Sequence, residues 1–285
     1  MPGRTPSLRP RTGRAEGPRR GPSPTATRRV PLALLLPALL GVVFLTLPLI
    51  GLLVRTPWSD LTAQLRGTQV LQALRLSLIT ASLATALSLV LGVPLAWLLA
   101  RARFPGRRLL RALITVPLVL PPVVGGVALL LALGRRGILG QYLDSWFGIT
   151  LPFTTAGVVL AEAFVAMPFL VLSVEGALRA ADPRFEDAAA TLGASGWTTF
   201  RRVTLPLIAP GVAAGAVLAW ARALGEFGAT ITFAGNFPGT TQTMPLAVYL
   251  ALQDDPQAAI VLSLILLAVS ITVLAALRER WMTTA

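Results

Sequence analysis

Six long apolar runs separated by clusters of arginine constrain this chain of 285 residues more than any other feature of its sequence. A bilayer core of about 30 Å is crossed by roughly 20 helical residues, because an α-helix rises about 1.5 Å per residue. We therefore expect an all-α polytopic membrane protein with six transmembrane helices. The predicted spans are residues 31–54, 72–100, 112–134, 155–178, 210–234 and 257–277.

Residues 1–30 differ in kind, since they combine eight arginines with many Pro, Gly, Ser and Thr and offer little to bury. This composition predicts a disordered basic tail, and a second short tail is expected at 278–285. The Arg28-Arg29 pair also fits a twin-arginine signal, but the apolar run that follows is too long for a signal peptide and favours an uncleaved first span. The tail either contacts anionic membrane lipid or stays solvated. Because this tail carries much of the positive charge, we predict no nucleic-acid partner.

The distribution of arginine between the loops predicts the orientation. With the N-terminus inside, the inner segments hold 19 arginines and the outer loops hold four. Arginine-rich loops remain on the cytoplasmic side, so we expect a multi-pass protein with both termini in the cytoplasm.

The composition excludes several kinds of chemistry. All 25 basic residues are Arg, and the chain contains no His and no Cys. A P-loop and Schiff-base catalysis both need Lys, while the usual zinc sites, thiolate nucleophiles and disulfides need His or Cys. We therefore expect that the chain is not an enzyme, and that it has no catalytic residue, no metal site and no bound cofactor.

Two predicted spans contain residues that a regular transmembrane helix does not readily accept. Pro121 and Pro122 interrupt the third span, and broken backbone at membrane depth has to be covered by protein or line a water-filled cavity. In the fifth span, Arg222 and Glu226 stand four residues apart, so that they can pair on one helix face. The four residues are candidates for a pathway or gate; the equal alternative is a packing kink with a structural ion pair.

Other residues of the fourth and fifth spans raise related questions. Glu162 and Glu175 are both carboxylates within the fourth span, and Glu175 is expected near the cytoplasmic interface. Gly211 and Gly215 leave one face of the fifth span bare, which allows another backbone to approach closely.

The loop after the fourth span carries strong local signals. Asp182-Pro183 is typical of a helix start, Ala188-Ala189 are strong helix formers, and Gly193 predicts a left-handed helix stop. A second short helical segment is expected from Ser195 to Val203, ending at Leu205-Pro206. Two short helices joined at a glycine corner predict a compact knob.

Seven residues of this knob keep a fixed spacing: Asp187, Ala188, Ala189, Gly193, Val203, Leu205 and Pro206. They resemble the pattern E-A-A-x3-G-x9-I-x-L-P in the cytoplasmic loop of permease subunits of ATP-binding-cassette (ABC) importers. Asp187 stands where that family has Glu, Val203 stands where it has Ile, and Glu186 can share the acidic role. The resemblance implies a type I ABC importer permease fold with cytoplasmic coupling helices. The coupling loop, about residues 179–209, would then insert into a cleft of a separate ATPase subunit.

A second resemblance concerns the substrate. Residues 222–230 read R-A-L-G-E-F-G-A-T, and residues 234–249 read A-G-N-F-P-G-T-T-Q-T-M-P-L-A-V-Y. This pattern is similar to the fifth-span signature of molybdate permeases, with sulfate and tungstate permeases as close relatives, and the similarity covers about residues 31–277. It implies a homodimer in the plasma membrane of a prokaryote, ATPase subunits that bind ATP and Mg, and an extracytoplasmic oxyanion-binding protein.

Other functions remain open at this stage. Tungstate and sulfate or thiosulfate are alternative substrates, since nothing in the residues themselves separates molybdate from tungstate. An ion-coupled secondary transporter would also show broken helices and buried carboxylates, but it would leave the coupling loop without a partner. A passive anchor for a membrane complex is the third class.

Overall fold

The computed structural model describes residues 32–59 and 67–282, and every regular element in these ranges is a helix. The predicted basic tail at 1–30 lies outside the described residues, as do 283–285. By their contacts the described residues divide into two compact units, the first ending at residue 49 and the second beginning at residue 50. The helices, in chain order, are α1 (Leu32–Arg55), α2 (Thr68–Arg101), α3 (Arg107–Val119), α4 (Pro122–Leu133), α5 (Gly140–Phe147), α6 (Thr155–Ala180), α7 (Arg184–Thr191), α8 (Gly196–Thr199), α9 (Leu205–Leu224), α10 (Gly228–Phe233), α11 (Met244–Asp254) and α12 (Pro256–Met282).

Five uninterrupted helices in the described ranges are long and apolar enough to cross a bilayer. They are α1, α2, α6, α12 and the continuous helical run of residues 196–224. α1, which carries the described part of the first unit, has 24 residues with Pro37 and Pro48 inside it, and its length of about 36 Å suffices to span the bilayer. The all-helical membrane architecture is confirmed.

The third predicted span, 112–134, is divided into two helices. α3 ends at Val119 and α4 begins at Pro122, with Leu120 (ψ 134°) and Pro121 (ψ 132°) extended between them. The cause is local, because each proline lacks an amide donor and disfavours helical backbone at the residue before it. The predicted break is therefore confirmed, whereas six uninterrupted helices are not present in the described residues.

The fifth predicted span, 210–234, differs from the prediction at both ends. On one side the helix continues back to Gly196 without a stop. On the other side α9 ends at Leu224 and α10 starts only at Gly228, so residues 225–227 form a second break. The fifth predicted span therefore begins before residue 210 and is interrupted at 225–227.

Helices α2, α6 and α9 pack together around the largest group of buried apolar side chains. Small residues allow this close packing. A Cβ atom on Gly215 would stand 3.0 Å from Ser173 Cβ, and Ser173 Oγ donates a hydrogen bond to Gly211 O at 3.0 Å. The predicted bare face of Gly211 and Gly215 therefore lies directly against α6, as expected for small residues between membrane helices.

Candidate functional sites: the meeting breaks and the coupling loop

The breaks in the third and fifth predicted spans lie against each other. A Cβ atom on Gly228, the first residue of α10, would stand 2.9 Å from Pro122 Cβ and 3.0 Å from Val123 N. One turn further along α4, a Cβ atom on Gly126 would stand 2.8 Å from the carbonyl oxygen of Ala229 in α10. Glycine is required at both positions because a side chain would separate the two backbones. The proline that starts α4 and the glycine that starts α10 thus meet, with Gly228 buried and Pro122 exposed.

Arg222 and Glu226 form an ion pair at the end of α9. Arg222 Nη2 lies 2.5 Å from Glu226 Oε2; the Glu226 side chain is 1% exposed and that of Arg222 is 27% exposed. The predicted pairing is confirmed. However, the pair bridges a break and does not lie along a continuous helix, because α9 ends at Leu224, two residues before Glu226.

Glu226 also explains why the chain can leave the helix here. Its Oε1 accepts a hydrogen bond at 2.8 Å from the backbone N–H of Ala229, in the first turn of α10. A carboxylate at a helix start satisfies an otherwise free amide and interacts favourably with the helix dipole. The sequence signal is Gly225 followed by an acidic residue and Gly228. Glu226 was predicted as the partner of Arg222 in a pathway, a gate or a structural ion pair, and not as a residue that starts a helix.

Glu162 of α6 is a second buried carboxylate. The residue is 1% exposed, and its Oε1 accepts a hydrogen bond at 2.9 Å from Oγ1 of Thr80, which is itself fully buried in α2. The bond joins two of the three central helices. Sequence reasoning missed Thr80, because a threonine within an apolar helix is common and usually bonds to its own backbone.

Glu175 has a different environment at the far end of α6, about 20 Å from Glu162 by helical rise. It accepts hydrogen bonds from Arg179 Nε at 3.1 Å and Nη2 at 2.9 Å, and Arg111 of α3 binds the same oxygen. Both arginine side chains are partly exposed. This cluster fits the expected position of Glu175 near a membrane surface, and it fixes the start of α3 against the end of α6.

The first half of the coupling loop folds as the sequence predicts. Asp182 Oδ1 accepts a hydrogen bond at 3.0 Å from Arg184 N, the first residue of α7. Gly193 has a φ of +80°, the left-handed conformation predicted for the helix stop, which residues other than glycine adopt at a cost. Ala188 and Ala189 lie within α7.

Glu186 and Asp187 are adjacent but have different surroundings. Glu186 Oε1 accepts from Arg101 Nη2 at 3.2 Å and from Thr204 Oγ1 at 3.0 Å. These bonds join α7 to the end of α2 and to the segment that precedes α9. Asp187 is exposed. Glu186 therefore holds the coupling loop together, while Asp187 is the acidic group on its surface.

The second half of the coupling loop corrects the prediction of a separate short segment. Ser195 Oγ accepts a hydrogen bond at 3.2 Å from Thr198 N and starts α8, as expected from its position. Residues 200–204 then form a π-helical turn, in which Leu205 N donates to Phe200 O, and the helix continues into α9. The predicted end at Leu205-Pro206 is wrong. Pro206 lacks an amide donor, and its ring clashes with the preceding turn of a regular α-helix. The π turn that contains Val203 is wider than an α-helical turn and leaves room for this ring.

Large apolar side chains lie exposed on the coupling loop. Phe185 is 57%, Leu192 is 88% and Trp197 is 70% exposed. Exposed apolar groups in an otherwise polar loop mark an interaction surface. Sequence reasoning concentrated on the acidic and small residues and missed these three, although a tryptophan in a polar loop was a readable signal.

The comparisons with known proteins agree with this geometry. Residues 92–284 match the family described as binding-protein-dependent transport system inner membrane component. The molybdenum transport system permease protein ModB of Mycobacterium tuberculosis is 52% identical over 235 residues, covering 82% of this chain and 89% of that protein. ModB of Escherichia coli K12 is 46% identical, covering 74% and 92%. The sulfate transport system permease protein CysT of the same strain is 38% identical, covering 79% and 82%.

A solved structure shows the same fold. In the crystal structure of a bacterial ABC transporter involved in the import of the acidic polysaccharide alginate, one chain has a TM-score of 0.73 with 19% sequence identity, covering 88% of this chain and 94% of that chain. The fold is that of a type I ABC importer permease, as the coupling-loop resemblance implied. The chain therefore belongs to the family of binding-protein-dependent transport system inner membrane components.

Proposed function

We propose that this chain is the permease subunit of an ABC importer that moves molybdate into the cytoplasm. The identity to the two molybdenum permeases, 52% and 46%, exceeds the 38% identity to the sulfate permease, which favours molybdate over sulfate. An extracytoplasmic binding protein selects the oxyanion, and two copies of this chain form the path. Separate cytoplasmic subunits bind ATP and Mg and hydrolyse the ATP.

The continuous helix from Gly196 to Leu224 is the observation that carries this proposal. It leads without a flexible link from the exposed Trp197 of the coupling loop to Arg222 at the break. A displacement of the loop by an ATPase subunit is therefore transmitted along one helix of 29 residues, about 44 Å long. The sequence supports the division of labour, because a chain without Lys cannot form a P-loop.

The meeting breaks form the path in this proposal. Backbone that leaves a helix at membrane depth is accepted where it lines a cavity, and the residues at issue are Pro121, Pro122, Arg222 and Glu226. A dianion is attracted by the guanidinium of Arg222, whose side chain is partly exposed, while Glu226 offsets most of that attraction. Weak attraction suits conduction, since a site that binds strongly does not release its ion. The coupling loop lies on the cytoplasmic side, with both termini, as the arginine distribution indicates.

Uptake of labelled molybdate tests the function. In cells whose own molybdate permease has been deleted, expression of this chain with its binding protein and ATPase should restore uptake that tungstate competes for and that excess sulfate leaves largely unchanged. Equal competition by sulfate would contradict the proposed substrate. Vanadate, which blocks ABC ATPases, should stop uptake in reconstituted vesicles; uptake that continued would indicate an ion-coupled carrier.

The glycine stop of the coupling loop gives a matched test of coupling. Gly193→Val forces a branched side chain into left-handed backbone, whereas Gly196→Val changes a glycine in open space without a positive φ. We expect the first variant to insert into the membrane normally and to lose most molybdate uptake, and the second to retain it. Full uptake by the Gly193 variant would contradict coupling through this loop and would favour a passive role.

A further inference from the structure

Helix α5 presents an apolar face that the described part of the chain leaves open. Leu139 and four residues of α5 recur at spacings of three and four along this face, and most of the five are strongly exposed: Leu139, Tyr142, Leu143, Trp146 and Phe147. The aromatic rings contact one another, with 5.3 Å between the ring centroids of Tyr142 and Trp146. We propose that α5 is an interfacial helix whose aromatic face lies in the boundary between lipid headgroups and acyl chains.

The depth of α5 is fixed by the helix before it. The link between α4 and α5 folds back on the last turns of α4, where Ile138 N donates to Leu131 O at 3.0 Å and Leu139 N donates to Ala132 O at 2.8 Å. α5 therefore begins level with the end of a membrane helix. A membrane helix ends at the boundary between the acyl core and the water, so the start of α5 lies at that boundary.

α5 also lies on the side of the membrane opposite the coupling loop. It precedes the start of α6, and the coupling loop follows the end of α6, 26 residues later. That length corresponds to about 39 Å, which exceeds the acyl core. The boundary that α5 occupies is thus the one remote from the coupling loop, and the coupling role does not explain its exposed aromatic face.

The polar side of α5 suits lipid headgroups. Arg135 Nε lies 2.9 Å from Asp144 Oδ2, and the Arg135 side chain is 74% exposed. Gln141 and Ser145 are exposed on the same polar side. Guanidinium groups bind lipid phosphates, while Trp and Tyr favour the interface because their rings are apolar and their tips can donate hydrogen bonds to water or headgroups.

The apolar face of α5 is continuous with the spanning helix α4. A shallow groove of about 420 Å³ is lined by Leu133 of α4 together with the α5 face. A surface that passes from a membrane helix onto a short amphipathic helix at its end is covered most simply by the bilayer itself. The occupant is therefore lipid and not a second protein surface.

Single-cysteine spin labelling tests this proposal directly, because the natural chain contains no Cys. The full chain with Trp146→Cys, and separately with the neighbouring Ser145→Cys as matched control, would be reconstituted in vesicles of phosphatidylethanolamine and phosphatidylglycerol. Collisions of the label with oxygen and with a water-soluble nickel chelate would then be measured. We expect position 146 to favour oxygen several-fold over the chelate and position 145 to favour the chelate.

Two results would overturn the proposal. Equal chelate access at 145 and 146 would place the face in water. Shielding of position 146 from both reagents would show that protein covers it, and spin–spin distances between two copies would then identify a subunit contact. Phe147→Cys with Gln141→Cys repeats the comparison if Trp146→Cys does not fold. The result is independent of molybdate uptake, because the inference rests only on the membrane fold.

Discussion

Arg101 Nη2 lies 3.2 Å from Glu186 Oε1 and joins the last residue of α2 to the first turn of α7. Thr204 donates to the same oxygen. One carboxylate thus connects a central membrane helix, the acidic end of the coupling loop and the π turn before α9. The coupling loop is consequently positioned by its own chain before any partner binds.

Glu186→Gln should uncouple ATP hydrolysis from uptake. The change removes the charge that Arg101 binds and weakens the local docking of α7 by about 1.5–3 kcal/mol, the range for hydrogen bonds to a charged group. We expect fewer molybdate ions imported per ATP hydrolysed in reconstituted complexes, with membrane insertion unchanged. Thr204→Val should shift the ratio in the same direction. An unchanged ratio in both variants would assign Glu186 no positioning role.

Gly228→Ala should destabilise the contact between the two breaks. Its new Cβ would stand 2.9 Å from Pro122 Cβ and 3.0 Å from Val123 N, whereas a Cβ on Gly225 would meet only Ala221 O at 3.7 Å. Overpacking of this kind costs about 1–3 kcal/mol. Thermal unfolding of the purified protein in detergent should therefore show a clear drop in Tm for Gly228→Ala and a smaller one for Gly225→Ala. Equal drops would contradict the close approach.

Arg222 and Glu226 provide a test that separates a path from a structural pair. Arg222→Gln leaves the buried carboxylate of Glu226 without its cation, a loss that costs about 3–5 kcal/mol in buried pairs. We expect low yield of folded protein. The double variant Arg222→Gln with Glu226→Gln removes both charges and should recover the folded yield.

Molybdate uptake by that double variant then decides the role of the pair. If Arg222 attracts the oxyanion, folded protein should accumulate while uptake stays at least about tenfold below the wild-type rate, equivalent to about 1.4 kcal/mol. Recovery of uptake together with folding would show that the pair serves only structure.

The hydrogen bond between Thr80 and Glu162 predicts that substituting its donor lowers the stability more than substituting its acceptor. Thr80→Val removes the donor and leaves a buried acceptor unsatisfied, at a cost of about 1–3 kcal/mol. Glu162→Gln keeps an acceptor oxygen at nearly the same position. Tm should therefore fall more for Thr80→Val than for Glu162→Gln, as measured by thermal unfolding. The reverse order would show that the bond between α2 and α6 contributes little.

The sequence predicts features that depend on neighbouring residues. Length and hydropathy determine the spans, tandem proline determines the break at Pro121, and the local preference of Gly193 for left-handed backbone determines the end of α7. The pairing of Arg222 with Glu226 was also readable, because both lie within one short stretch.

The remaining features depend on contacts between distant segments. Glu186 was expected to share the acidic role of Asp187, and the sequence did not indicate that Arg101, 85 residues away, binds it. The bond from Thr80 to Glu162 joins residues separated by 82 positions. The second break, at 225–227, forms where α4 packs against α10. The hydropathy pattern of either segment alone does not indicate that the two helices are in contact. Proline at 206 suggested a stop, and the π turn before it, which no propensity predicts, allows the helix to continue.

That π turn sets the rotational phase between the two ends of the helical run 196–224. A π turn adds one residue to an α-helix, and each residue of an α-helix advances the side chains by about 100°. The direction in which Trp197 points is thus offset from the face that α9 presents to α6, independently of helix length. Deleting one residue from 200–204 would keep the helix unbroken but would rotate Trp197 about the helix axis by about 100°. These five residues therefore determine the direction in which the exposed side chain points as well as its distance from the break.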